Sequence, residues 1–136
     1  QAVWTDSEKA VAFINLAPVV DNIIMYPDLI KVKVDMNTGK VVGYDAQSYA
    51  YNHINREIQS PSLSPAQARD LLDIRLNINT QKLCVIPLDY MGEQLTYEFY
   101  CEYYGEEYYV YINAYNGQEE RVMKVVSTTE QGSLTK

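Results

Sequence analysis

The sequence predicts an α+β fold made of two consecutive repeats, each an antiparallel β-meander covered by one helix, with the first repeat lacking its N-terminal helix. The phrase VKVDMNTG, which begins at Val32, recurs as VYINAYNG at Val110, and both read as a strand and a turn that ends in glycine. A clear helix start, Ser64 followed by Pro65, precedes the second copy. The same spacing would place the first copy's helix before residue 1. We therefore expect the chain to be a fragment cut between that helix and its sheet.

The first third of the chain is predicted to consist of strands. From Ile30 onward, apolar residues alternate with Lys31, Lys33 and Asp35, which is the period of a strand with one buried face. A turn over residues 37–39 would fold this strand into a hairpin that places Val32 opposite Tyr44 and Val34 opposite Val42. Further strands are predicted at residues 10–18, at residues 22–26 and around Val3.

The middle of the chain is predicted to hold a short helix, a linker and one long helix. Residues 46–57 have helix-compatible spacing, and the prolines and serines of residues 60–65 break it. Ser64 then caps a helix predicted over residues 64–77. Its apolar stripe, which needs a sheet to cover, consists of Ala68, Leu71, Leu72 and Leu76.

Four strands are predicted to follow this helix as a meander. A two-residue turn at Gly105-Glu106 would place Phe99 opposite Ile112 and Cys101 opposite Val110. The last hairpin turns at Asn116-Gly117, and its register stays open because its apolar residues give no clean face. The strands are predicted at residues 82–90, 94–104, 106–115 and 120–127.

Composition excludes several classes of partner. A net charge of −7 and a pI near 4.6 argue against nucleic acid, because phosphate binding requires clustered Lys and Arg. No run approaches the roughly 20 apolar residues that span a bilayer, so direct membrane insertion of this fragment is not expected. Cys84 and Cys101 lie in apolar runs, where packed thiols are the first interpretation and a disulfide the alternative.

The sequence nominates no catalytic residue, no cofactor site and no metal site. His53 has no nucleophile pattern near it and reads as a surface histidine. His and Cys residues are too few for a zinc set, and the loop at Asp35 lacks the later glutamate of a calcium loop. The abundant carboxylates could form a catalytic pair only at a geometry that sequence does not show.

The unusual feature is tyrosine, with thirteen in the chain, crowded between residues 90 and 115. In the predicted register they form an aromatic face rimmed with acid. Tyrosine is enriched at the centres of protein interfaces, so one interpretation is a protein-docking face. The other is cross-strand pairing that only stabilises the hairpin. The residues predicted for this face are Tyr100, Tyr104, Tyr109, Tyr111, Tyr115, Glu98 and Glu102.

Several stretches resemble known families. A helix followed by a meander that ends in a phrase such as VYINAYNG resembles the PepSY module, complete over residues 64–127 and partial over residues 3–46. More narrowly, YPDLIKVKVDMNTGKVVGYDAQSYAYNH, SPSLSPAQA, YEFYC, YINAYNGQEERVMKV and GSLT resemble the C-terminal region of YpeB-type spore germination proteins. With this resemblance the chain divides into an incomplete first PepSY-like repeat at residues 1–47, a short helix and linker at 48–63, a complete second repeat at 64–128 and a C-terminal tail at 129–136.

The resemblance implies a function that the residues alone do not. It implies a non-enzymatic interaction module that stabilises, localises and restrains a SleB-type cortex-lytic hydrolase. The parent protein would be anchored by a missing N-terminal segment on the extracytoplasmic side of the spore inner membrane. The alternatives are a peptidoglycan-binding module and a PepSY-type inhibitor or chaperone of an extracellular peptidase.

Overall fold

A computed structural model describes residues 2–6, 9–89, 92–128 and 132–135. Two short helices, α1 (Gln47–Asn52) and α2 (Pro65–Asp70), and a 3₁₀ turn at Tyr26–Asp28 accompany the strands of these ranges. The strands are β1 (Ala2–Asp6), β2 (Val11–Leu16), β3 (Val19–Val20), β4 (Ile23–Met25), β5 (Ile30–Asp35), β6 (Val41–Asp45), β7 (Asn77–Leu88), β8 (Gly92–Tyr103), β9 (Glu106–Asn113), β10 (Glu119–Thr128) and β11 (Gly132–Thr135).

The strands join in one sheet with the order β3-β4-β7-β8-β9-β10-β11-β1-β2-β5-β6. Two meanders make up most of it: the first sheet half is β1-β2-β5-β6 and the second is β7-β8-β9-β10. Residues 132–135, in the segment predicted as a C-terminal tail, form β11, which pairs with β10 and, through Gly132, with Trp4 of β1. The two repeats therefore share a continuous hydrogen-bonded sheet.

The two hairpins that carry the repeated phrase have the same structure. The Asp35 side chain accepts backbone N–H bonds from the residues two and three positions later, at 2.8 and 3.2 Å, and Asn113 does the same at 2.8 and 3.1 Å. The N–H groups of Gly39 and Gly117 donate to the carbonyls of Asp35 and Asn113 at 2.8 and 3.0 Å. Both glycines have positive φ, +72° and +77°, which favours glycine. The predicted internal repeat is confirmed.

The predicted register of the first hairpin is largely correct. Val32 lies opposite Tyr44, as predicted. A bulge after Lys33 then places Val34 opposite Val41 instead of Val42. A bulge inserts one extra residue in one strand, so pairing shifts by one beyond it.

The predicted register of the β8–β9 hairpin is wrong by two residues. Phe99 lies opposite Val110 and not opposite Ile112. The turn is made by Tyr104 and Gly105, whose φ angles of +50° and +76° are both positive, as a type I′ turn requires. A shift by two leaves every side chain on its predicted face, because side chains alternate with period two.

Helix α2 is shorter than predicted and ends at Asp70 rather than near residue 77. Ser64 and Gln67 form a capping box at its start. At its end the N–H groups of Leu71 and Leu72 bond to carbonyls three residues back, at 3.2 and 3.1 Å, which tightens the chain out of the α-helical path. The fully buried Ala68 packs onto the core of the second sheet half.

Residues 17–29, which we call the excursion, leave the first sheet half between β2 and β5. They add β3 and β4 to the edge of the second half, where β4 runs parallel to β7.

A set of charged residues, the Asp28 network, fixes the end of the excursion. Arg56 of the linker donates two bonds of 2.8 Å to Asp28 and bonds of 2.6 and 2.9 Å to Glu93 of β8, and His53 Nδ1 lies 2.8 Å from Asp28 Oδ2.

The first sheet half has one uncovered apolar face. Val110 and Ile112 of β9 are buried in the core that includes Ala68 of α2. The equivalent face of the first half includes Val32 and leaves Tyr44 75% exposed. Within residues 2–6 and 9–46 the structure contains no α-helix. The fold is therefore α+β with a first repeat that lacks its helix, as predicted.

The two cysteines are free thiols. Both are fully buried. Cys84 pairs with Thr96 and Cys101 with Tyr108, which places the two side chains on opposite faces of the sheet. The packed-thiol interpretation is therefore correct.

Candidate functional site

A cavity of about 470 Å³ lies between the excursion and the face of the second sheet half opposite α2. We call it the tyrosine cleft. Its size lies within the roughly 300–1,000 Å³ of small-ligand sites. Its defining residues are Tyr26, Tyr100, Tyr109, Tyr111 and Glu98.

Glu98 forms the floor of the cleft. It is only 4% exposed. Its Oε2 atom accepts hydrogen bonds from the hydroxyls of Tyr26 and Tyr111, with oxygen–oxygen distances of 2.5 and 2.8 Å. Burial, assisted by the charge of Glu98, raises the pKa of both tyrosines above the ordinary value. Both tyrosines therefore stay protonated at neutral pH and act as donors. A carboxylate is thus held at a fixed place in a largely apolar wall.

Tyr100 and Tyr109 form the next row of the cleft. They pair across β8 and β9 with ring centroids 5.1 Å apart. A hydrogen bond to Glu107 is the main cause that raises the pKa of Tyr100 to about 12. Burial raises the pKa of Tyr109. The row is a half-buried aromatic surface that a ligand group can reach.

Two further groups in the cleft have polar atoms without a partner among the described residues. Asn15 of β2 has a buried side-chain oxygen, Oδ1, for which no described residue supplies a donor. Lys82 of β7 lies directly opposite Glu98, yet no ion pair joins the two side chains within the described residues. Arg121 is different, because it donates to the Pro87 carbonyl at 2.8 Å. The free groups are those that a bound molecule could satisfy.

The structure brings together four of the seven residues predicted for the aromatic face: Glu98, Tyr100, Tyr109 and Tyr111. Glu98 and Tyr111 are buried, whereas Tyr100 and Tyr109 are half-buried. The role of this set in docking stays a prediction.

The other three predicted residues lie outside the cleft lining. Glu102 is next along β8 and accepts a bond of 3.1 Å from Asn79. Tyr104 is 87% exposed in the β8–β9 turn. Tyr115 lies on the opposite face, where its hydroxyl donates to the Gln59 carbonyl at 2.9 Å.

Sequence reasoning missed most of the cleft lining, including Tyr26, Asn15 and Lys82. Tyr26 and Asn15 come from the first repeat, and the bond from Tyr26 to Glu98 spans 72 positions. No local pattern signals such a contact. Lys82 could have been found, since a β7–β8 pairing was predicted and its register places Lys82 opposite Glu98.

The Cys84 thiol is buried on the face of the second sheet half that lines the cleft. Burial raises the pKa of the Cys84 thiol to about 12, which leaves it a poor nucleophile. Over the described ranges, no three His, Cys, Asp or Glu side chains lie close enough to hold a metal ion. In the same ranges no helix is both long and apolar enough to cross a bilayer.

Two family models match the chain in succession. Residues 1–59 match the model described as YpeB sporulation, PepSY1 and PepSY2 domains. Residues 62–123 match the model described as Peptidase propeptide and YPEB domain. The boundary between the two matches falls in the linker before α2.

Curated relatives and a solved structure agree with the family models. The chain is 41% identical over 105 residues to sporulation protein YpeB of Halalkalibacterium halodurans, which covers 77% of this chain and 24% of that protein. It is 32% identical over 108 residues to sporulation protein YpeB of Bacillus subtilis, covering 79% of this chain and 24% of that protein. The chain thus spans about a quarter of the length of the curated relatives it matches.

The structural match extends over nearly the whole chain. The Bacillus megaterium YpeB C-terminal domain superposes with a TM-score of 0.82 at 28% identity, over 93% of this chain and 56% of that chain. The family models, the curated relatives and this structure point to the same region of the same kind of protein. The chain therefore belongs to the YpeB family of sporulation proteins, in the region built of PepSY repeats.

Proposed function

We propose that this chain is a non-catalytic interaction module that binds a SleB-type cortex-lytic hydrolase and holds it stable, localised and restrained. Membership of a family of sporulation proteins supports a role in sporulation or germination. The model matched by residues 62–123 groups the YPEB domain with peptidase propeptides, and a peptidase propeptide is a segment of the precursor of a hydrolase.

The tyrosine cleft is the observation that carries the proposal. Its aromatic row and buried carboxylate resemble the centre of a protein interface, where tyrosine anchors and desolvated charges concentrate binding energy. The cleft is shaped by residues from both repeats, so a partner that enters it contacts the excursion and the second sheet half together.

The proposed location follows from the partner. The module lies on the extracytoplasmic side of the spore inner membrane, and a segment of the parent protein outside this chain anchors it there. Fractionation of spores, with the parent protein detected in the inner membrane and accessible from outside it, is the direct test. Recovery of the protein in the spore cytoplasm contradicts the location.

Binding is tested by co-purification of the hydrolase with this chain and by titration of the two purified proteins. We expect the double variant Tyr100→Ala and Tyr109→Ala to weaken binding by about 30-fold or more, as loss of a central anchor does. The matched control replaces Tyr44 and Tyr51, which are 75% and 78% exposed outside the cleft, and should leave affinity unchanged. Equal affinity of all three proteins contradicts docking at the cleft.

Restraint is tested separately from binding. Turnover of cortex peptidoglycan by the hydrolase is measured with increasing amounts of this chain. We expect turnover to fall to a plateau as the hydrolase becomes saturated, and this chain alone to release no muramyl product. Unchanged turnover at saturation would limit the role to stabilisation and localisation.

A second candidate function is direct binding of peptidoglycan. Half-buried tyrosine rings beside hydrogen-bonding groups can also stack on sugar rings, and Tyr100 and Tyr109 offer such a surface. The test is sedimentation of this chain with purified cortex in the absence of hydrolase. Pelleting that is lost in the Tyr100→Ala and Tyr109→Ala variant supports this candidate, and no pelleting excludes it.

A further inference from the structure

We propose that the tyrosine cleft binds the guanidinium group of an arginine side chain presented by a partner protein. This inference rests on the proposed docking function for its biological occupant, and it names the chemistry of the group that enters.

Acidic and aromatic residues alternate along the face that lines the cleft. On β8 the same face carries Glu98, Tyr100 and Glu102, and on β9 it carries Tyr109 and Glu107. Glu102 and Glu107 lie directly opposite each other on this face, beyond the residues that line the cleft itself. Like charges in direct cross-strand pairs are destabilising, so this row gains from a nearby cation. Rings with carboxylates above and below form a surface that favours a positively charged group.

Two acceptor oxygens in the cleft are open to a ligand. Both tyrosine hydroxyls bond to Oε2 of Glu98, and no described residue bonds to Glu98 Oε1, an atom that is not fully buried. The second is Asn15 Oδ1, which is buried without a donor among the described residues. A buried acceptor without a partner is costly, and a ligand that supplies a donor to Asn15 recovers that cost. An occupant with at least two N–H groups can bond to both oxygens.

A guanidinium group meets these demands better than an ammonium group does. It is planar, so it can stack on the rings of Tyr100 and Tyr109, and it presents N–H groups in a fork that can reach two acceptors at once. An ammonium group is a compact, strongly hydrated charge without a stacking face. The net charge of −7 also attracts a basic segment over longer distances.

Two cationic side chains in the lining, Arg121 and Lys82, affect how tightly the cleft can bind a positively charged group. The guanidinium of Arg121 is held by the Pro87 carbonyl, so it forms part of the wall. Lys82 is exposed and has no partner among the described residues, which lets its side chain turn to solvent. Its charge nevertheless opposes a bound cation. Removal of the Lys82 charge should therefore tighten arginine binding, which is a prediction that an anion site would reverse.

The experiment titrates the chain with N-acetyl-arginine amide, N-acetyl-lysine amide and the neutral isostere N-acetyl-citrulline amide, followed by NMR shifts of Asn15, Tyr100 and Tyr109. We expect arginine to bind at least tenfold more tightly than either of the others. Glu98→Gln should lower arginine affinity at least tenfold with the spectrum of a folded protein, and Lys82→Gln should raise it severalfold. The control Glu57→Gln, which changes an exposed acid outside the cleft, should have no effect.

Three results overturn the inference: equal binding of arginine and citrulline, tighter binding of lysine than of arginine, or weaker arginine binding in Lys82→Gln. Because Lys82 is exposed, that variant keeps the test decisive if Glu98→Gln fails to fold. Failure of the proposed docking function can be distinguished from failure of this inference. If capped arginine binds as expected while the hydrolase does not bind this chain, the cleft is a guanidinium site and the hydrolase is not its source.

Discussion

Replacing Arg56 by methionine removes the guanidinium that joins Asp28 to Glu93. Asp28 is 1% exposed and accepts two N–H bonds of 2.8 Å from Arg56. The Arg56 side chain is itself 8% exposed, so methionine fills much of the same space without leaving a large void. After the substitution the Asp28 carboxylate keeps, among the described side chains, its contact of 2.8 Å with His53 Nδ1.

The expected loss of stability follows from the burial of Asp28. Removing one partner of a buried ion pair typically costs about 3–5 kcal/mol, because the remaining charge is left uncompensated. With a urea m value of roughly 2 kcal/mol per M, a loss of about 4 kcal/mol lowers the unfolding midpoint by about 2 M. Adding Asp28→Asn to Arg56→Met should recover part of this loss, since a neutral amide replaces the unpaired charge.

The assay is urea unfolding at pH 7, followed by circular dichroism. The matched control is Arg75→Met. Arg75 donates two bonds to Asp73, of 3.0 and 2.7 Å, but the two side chains are 66% and 45% exposed. Exposed pairs contribute little, so the midpoint of this control should not change. Equal midpoints for Arg56→Met and Arg75→Met would refute the reasoning that the Asp28 network stabilises the fold because it is buried.

Three further predictions concern single residues. Hydrogen bonds from the Arg56 guanidinium and, to a smaller extent, from His53 hold the pKa of Asp28 below its usual range. The stability advantage of the native protein over Asp28→Asn should therefore be complete above about pH 3.9 and disappear as the pH falls further. Urea unfolding at pH 7 and at about pH 2 measures this advantage, and a constant advantage contradicts the prediction. Gly39→Ala should lower the free energy of unfolding by about 1–2 kcal/mol, because alanine is strained at positive φ. Gly117→Ala should lower it further, because its Cβ would lie 2.7 Å from Leu71 Cδ1, whereas no atom lies within 4 Å of a Cβ at Gly39; equal losses in urea unfolding contradict this. With its pKa raised to about 12, Cys84 should react with a thiol reagent at pH 8 only as fast as the protein opens, and modification within seconds of mixing would show the thiol to be accessible.

Local patterns predicted the elements that depend on neighbours in sequence. The alternation from Ile30, the glycine turns and the Ser64 cap each reflect interactions within a few residues, and each appears in the structure. The repeat of VKVDMNTG as VYINAYNG predicted two like meanders, because equal turn chemistry imposes equal hairpins. The absence of an α-helix from residues 2–6 and 9–46 was also predicted, because it follows from the spacing of the two copies.

The register of the β8–β9 hairpin and the end of α2 were harder to predict from the sequence. The β8–β9 register depends on which two residues form the turn. The predicted turn at Gly105-Glu106 needs positive φ only at Gly105, whereas the observed turn at Tyr104-Gly105 has positive φ at both residues. The end of α2 is set by three-residue backbone bonds and a turn closed by Asp73, whose side chain accepts the Arg75 N–H at 2.9 Å. Small differences in local energy decide both features.

The sequence by itself determined the α+β class, the repeated hairpin and the faces of the strands, because each depends on short-range chemistry or on periodicity. Its motifs also carried the resemblance to the YpeB family. Only the tertiary structure decided that the excursion crosses to the second repeat and that Tyr26 caps Glu98. It also decided that Asp28 is buried against Arg56. These contacts join residues from 28 to 72 positions apart, and their energy depends on desolvation, which no local pattern encodes.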